Sequence, residues 1–201
     1  MLPGINKWER DLGRKFSLTQ RKHIICLALN SSVSTRIQES NYKLLNQWYY
    51  TPVKMHKFSI ENSEYCWRCG LEQGTLLHIF WSCVKIRKYW LEVQRISQKF
   101  TEIQLPDDPA FFLLHSSQIP VRAYKKSVLC HLINAAKSGI TLQWRDTRPP
   151  SITRWLNRVR EIGAIEDLVL SARNKREQYV ETWTGWNQFI NTEEGRRISE
   201  D

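Results

Sequence analysis

Apolar side chains recur every third or fourth position along most of this chain, a period that predicts helices and leaves little room for strands. Trp8, Leu12 and Phe16 place a short first helix. Gln20 to Leu29 gives a second, and Ser34 through Trp48 a third, with Ile37, Asn41, Leu44, Leu45 and Trp48 on one side. Thr51-Pro52 ends that element, because the residue before a proline avoids the α region and proline suits the first turn of the next helix. Further on, Ile86, Tyr89, Trp90, Val93 and Ile96 repeat at helical spacing and predict a helix with one buried face. Pro106-Asp107-Asp108-Pro109 reads as a turn. Phe111 to Leu114 opens a run that Pro120 interrupts, and Val121 to Lys137 reads as a long apolar helix stopped by Ser138-Gly139. Arg148-Pro149-Pro150-Ser151 is the clearest boundary, a stiff linker and an N-cap ahead of the stripe Ile152, Trp155, Leu156, Val159, Ile162. Tyr179, Trp183, Trp186 and Phe189 predict a last helix, and Asn191 to Asp201 a polar tail.

One stretch follows a different logic. Cys66-Trp67-Arg68-Cys69, then His78 and Cys83, form the spacing C-x2-C-x8-H-x4-C. Zn²⁺ takes four nitrogen or sulfur ligands tetrahedrally, and a C-x2-C pair lets one tight turn aim two thiolates at one point. A catalytic zinc keeps a position open for water, whereas three thiolates and an imidazole fill all four, so the spacing points to a structural knuckle with one zinc. Gly70 can supply the positive φ of a metal-clasping turn, and Gly74-Thr75 a second turn with an N-cap before Leu76. His78 and Cys83 would lie about 140° apart on an ideal helix, so the backbone is expected to loosen between them, with Ser82 placed to cap a new helix. The expected fold is therefore all-α, a bundle-like helical body with one small CCHC knuckle inserted between helices. Along the chain it divides into a basic helical segment (1–60), the knuckle segment (61–105), a helical segment (106–148) and C-terminal helices with a polar tail (149–201).

Composition narrows the class. With 201 residues, 41% of them hydrophobic and nine Trp, the chain can bury a core. The two cysteines outside the cluster, Cys26 and Cys130, sit in apolar settings and read as buried thiols, which fits a reduced, intracellular protein better than a secreted one. No apolar run approaches the ~20 residues of a membrane span. The net charge of +10 favours a polyanionic partner, and residues 1–60 hold ten Lys/Arg against three Asp/Glu. Lys85, Arg87 and Lys88 follow the knuckle directly. Trp67, between the first two thiolates, is placed either to stack on an unpaired base or to roof the knuckle.

The runs Arg36-Ile-Gln-Glu-Ser-Asn-Tyr-Lys43, Trp48-Tyr-Tyr-Thr-Pro-Val53, Cys66-Trp-Arg-Cys69 and Gly74-Thr-Leu-Leu-His78-Ile-Phe-Trp-Ser-Cys83 closely resemble one family. It is the C-terminal cysteine-rich region of the reverse transcriptases of vertebrate long interspersed (non-LTR) retrotransposons. The resemblance is strongest from Arg36 to Trp90, looser from Trp8 to Ile37, and past Pro106 reduces to general helical character. It implies a module that holds template RNA beside upstream polymerase domains, with Cys66, Cys69, His78 and Cys83 as zinc ligands. A polymerase needs paired carboxylates holding two metal ions. Asp107-Asp108, the one Asp-Asp pair, lies in a proline-flanked turn, so the chain is expected to be non-catalytic, the tail of such a polyprotein from a truncated copy. The expected contacts to RNA or single-stranded nucleic acid are Arg36, Lys43, Lys54, Lys57, Trp67, Arg68, Lys85, Arg87 and Lys88. The competing expectation is a helical protein-interaction module with a structural zinc, and a residual reverse transcriptase comes third.

Overall fold

The computed structural model describes residues 3–200, and the fold is all-α. Among the described residues ten α-helices follow one another: α1 (Pro3–Asp11), α2 (Leu18–Asn30), α3 (Thr35–Leu45), α4 (Pro52–Phe58), α5 (Val84–Thr101), α6 (Pro109–Leu114), α7 (Ala123–Leu142), α8 (Ile152–Ala172), α9 (Arg176–Ile190) and α10 (Glu193–Glu200), with a π-helical turn at His78–Ser82. The described residues form no strand, and Tyr65 and Gln73 make an isolated antiparallel bridge. No described helix is long and apolar enough to cross a membrane.

Side-chain caps set four helix starts among the described residues. Ser17 and Gln20 form a reciprocal capping box on α2, Thr51 accepts from the Lys54 amide ahead of Pro52, Asp108 accepts from Ala110 ahead of Pro109, and Ser151 accepts from Arg154. Each satisfies an amide that the first turn leaves unpaired.

Helix α7 is the axis. Every residue from His131 to Ile140 is buried, as expected of a helix covered on all sides, and α3, α5, α6, α8 and α9 pack around it. Two aromatic side chains tie neighbours to its carbonyls: Tyr89 Oη donates to Ala136 at 3.2 Å and Trp155 Nε1 to Leu132 at 2.9 Å. The four segments read from the sequence share one buried cluster, from Ile5 and Trp8 in α1 to Ile198 in α10. Buried carboxylates pin its connections. Glu9 accepts from the Phe16 amide and from Arg21, closing the α1–α2 turn. Glu166 of α8 accepts from Ser32 Oγ before α3 and lies 3.2 Å from His131 Nε2.

Several expectations are corrected. The long helix does not stop at Ser138-Gly139 but runs to Leu142. A Cβ on Gly139 would lie 3.2 Å from Tyr89 Oη, so the bare glycine admits close packing, which outweighs a helix-propensity cost of about 1 kcal/mol. The first helix ends at Asp11, Gly13 turns the chain at φ 63°, and Phe16 enters the core from the loop. Helix α3 stops at Leu45, Gln47 takes φ 55°, and Trp48 swings out of the core to 60% exposure. The expected polar tail contains α10, whose Ile198 is buried in the core. Cys26 is exposed rather than buried, and Cys130 is half-buried.

Candidate metal centre

The loop ahead of the π turn folds on its own backbone. Cys66 N–H donates to Glu72 O and Gly74 N–H to Glu64 O, both at 2.8 Å, flanking the Tyr65–Gln73 bridge. Gly70, at φ 69°, donates to Cys66 O and turns the chain directly after the second thiol. Amides of Arg68 and Cys69 point at the Cys66 sulfur, and those of Leu71 and Glu72 at the Cys69 sulfur. Gly74 presses on α4, where any Cβ would overlap the Pro52 ring, and so brings that helix against the loop.

The second pair of side chains depends on the expected loosening, which takes the form of a π turn. Thr75 Oγ1 accepts from the His78 amide, and Cys83 N–H donates to His78 O at 3.0 Å, an i→i+5 bond. Widening the helix in this way makes five residues close to one turn, so His78 and Cys83 share a face. The residue flanking the start of α5 is Cys83 itself and not Ser82.

The four candidate ligand atoms all lie within 4.8 Å of one another. Cys66 Sγ and Cys83 Sγ are 3.8 Å apart, and Cys69 Sγ and His78 Nε2 3.3 Å. A disulfide needs about 2.05 Å, so the cysteines are free thiols. A tetrahedral ion with metal–sulfur bonds of about 2.3 Å has sulfur–sulfur edges of about 3.8 Å. The donor set fits such a metal ion and leaves no position open on it.

Two charged side chains complete the surroundings. Glu72 Oε2 lies 3.3 Å from His78 Nδ1, which leaves Nε2 facing the thiols, and Ser82 Oγ is 3.4 Å from the same Nδ1. A ligand imidazole held through its other nitrogen by a carboxylate is fixed in tautomer and orientation. Arg68 is 2% exposed, with Nη2 donating to Gln143 O at 2.9 Å while Nε and Nη1 have no hydrogen-bond partner. Desolvation lowers its pKa, and the nearby Cys66, Cys83 and Asp146 oppose that shift. Burial raises the Cys66 thiol, and burial would raise Cys69 too, but amide and His78 hydrogen bonds bring Cys69 below its ordinary value. The cluster therefore has a buried positive charge beside three thiols, a role that the spacing of the ligands does not encode.

The residues read as nucleic-acid contacts divide. Arg36, Lys57, Lys85 and Lys88 are exposed. Lys43 pairs with Glu39 at 2.6 Å. Lys54 is held by the carbonyls of Gln47 and Tyr49. Arg87 stacks over Trp81 at 4.5 Å and forks onto Asp107 at 2.8 and 2.9 Å. Arg68 is corrected outright, since a guanidinium buried against the thiols cannot meet a phosphate. Trp67 is half-buried edge-on against Trp144, its face under Arg145. Trp144 and Arg145, in the turn just past α7, are side chains that no local pattern connects to residues 66–83. No family model matches the chain.

Proposed function

We propose that the cluster holds one structural Zn²⁺ and that the chain is a non-catalytic module binding RNA or single-stranded nucleic acid, intracellular and joined in a full-length element to upstream polymerase domains. The observation that carries the reading is the closed Cys3His set, with its amide-to-sulfur hydrogen bonds and its carboxylate on the imidazole. Soft thiolates with a neutral imidazole favour zinc over magnesium or calcium, and a full set of ligands serves folding rather than hydrolysis. Asp107 and Asp108 support the absence of polymerase chemistry, because each carboxylate is taken up by an arginine, Arg87 and Arg14 respectively.

The nucleic-acid half rests on the net charge of +10 and on exposed Lys85 and Lys88 at the start of α5, directly after Cys83. Its test is the binding of a single-stranded RNA by the zinc-loaded chain at several salt concentrations. Phosphate contacts give a log-log slope of about −0.7 each. Lys85→Ala with Lys88→Ala should weaken binding and flatten that slope, zinc content unchanged. A zinc-loaded wild type that ignores RNA, or binds it without salt dependence, rejects the reading and favours the protein-interaction module.

A further inference from the structure

Beside the metal centre lies a strip of aromatic side chains that the core does not use. After α3 the chain alternates outward and inward: Trp48 is 60% exposed, Tyr49 turns in onto Phe80 and Trp144, and Tyr50 is 64% exposed. The Tyr50 ring meets Phe58, at the end of α4, with centroids 6.1 Å apart, and Phe58 is 77% exposed. Tyr42 braces Trp48 edge-on at 5.3 Å. The strip is fastened to the knuckle from beneath. Trp144 Nε1 donates to Tyr50 O at 2.9 Å, Trp144 touches Trp67, and Arg145 spans from the Trp67 face to Met55 of α4.

The stretch that carries these rings is basic, and the acidic side chains beside it, Glu39 and Asp11, are engaged by Lys43 and Gln47. From Ser40 to Ile60 there is no Asp or Glu, while Lys43, Lys54 and Lys57 fall within that stretch. Lys57 is exposed next to Phe58, and Arg145 is exposed beside Trp67. Aromatic faces interleaved with cations recognise unpaired bases and their phosphates, since a base in a duplex has its faces already stacked.

We propose that Trp48, Tyr50 and Phe58 form a base-stacking platform for a single-stranded nucleic acid, with Lys57 and Arg145 meeting its backbone. The inference rests on the nucleic-acid reading above and moves the stacking role from half-buried Trp67 to these exposed rings. All three point to solvent, so their replacement leaves the core and the thiols untouched.

The experiment compares the zinc-loaded wild type with Trp48→Ala, Phe58→Ala and Trp48→Phe by fluorescence anisotropy, using a labelled single-stranded dodecamer and the same sequence as a duplex. The wild type should prefer the single strand. Each alanine variant should lose roughly 5- to 150-fold in affinity with an unchanged salt slope, because stacking releases no counterions, and Trp48→Phe should retain most of it. Alanine variants that bind like the wild type, while Lys85→Ala with Lys88→Ala weakens binding, would remove the platform and leave the nucleic-acid reading standing. A wild type that binds neither oligonucleotide would overturn that reading and the platform with it, and assign the strip to a protein partner.

Discussion

A guanidinium taken out of water costs several kcal/mol unless opposite charge lies close by, and Arg68 has no carboxylate within hydrogen-bonding distance. The opposite charges that act on it are those of Cys66 and Cys83, and then Asp146. Three thiolates on a divalent ion would leave one net negative charge, which Arg68 would balance. Methionine keeps much of the side chain's bulk and removes its charge, so Arg68→Met is expected to lower zinc affinity about 10- to 100-fold, the usual range for partners that act through a ligand. Competition against a chromophoric chelator measures this, and an unchanged affinity would reduce Arg68 to packing. Glu72→Gln tests the other partner in the same assay. It keeps an acceptor for His78 Nδ1 but loses the charge, so its effect should be the smaller.

Individual elements show how far local pattern reaches. The capped starts at Thr51-Pro52 and Ser151, and the buried stripes of α5 and α8, are written in neighbouring residues, so they are legible one segment at a time. The same holds for the ligands, because C-x2-C and the Gly70 turn are local, and five-residue spacing demanded a loosened helix that a π turn supplies. Gly139 was misread because the side chains it accommodates, Tyr89 and Pro150, come from elsewhere in the chain. Trp48 leaves the buried face because α3 already ends at Leu45 and Gln47 then turns the chain at φ 55°. Helix α10 is not legible because one apolar side chain, Ile198, sets no period. For α8 the packing makes a direct claim. Trp155 is fully buried and its indole nitrogen is bonded to α7, so Trp155→Ala should cost about 3 to 5 kcal/mol in chemical denaturation. A loss below about 1 kcal/mol would mean that the α7–α8 contact is not part of the stable core.

At the scale of the whole molecule, the core carries an internal cost near its centre. Lys137 of α7 is buried, donating to Leu113 O at 3.4 Å and lying 3.1 Å from His115 Nε2. Desolvation pulls its pKa down to about 7, and desolvation together with Lys137 depresses His115. Between about pH 7 and the unfolded value of about 10.4 the unfolded chain binds the extra proton, so stability rises with pH across that window and falls as pH drops toward 7. His115 continues the loss below about pH 6.5, again because the unfolded state holds more protons. Lys137→Met should therefore raise the melting temperature most at pH 7, with the advantage narrowing toward pH 10. An advantage that stays constant over that range would refute a neutral buried lysine. All of this packing meets the loop of residues 64–83 through Trp144, Pro52 and Arg68, and the account stands on that loop being organised by metal. The most direct measurement is titration of the metal-free chain with Co²⁺ followed by Zn²⁺, reading the sulfur-to-cobalt charge-transfer band. One equivalent per chain should saturate a tetrahedral band that Zn²⁺ then abolishes, and Cys69→Ser should weaken or remove it. Absence of the band in the wild type, or its full retention in Cys69→Ser, would contradict the assignment of Cys66, Cys69, His78 and Cys83 as the ligands.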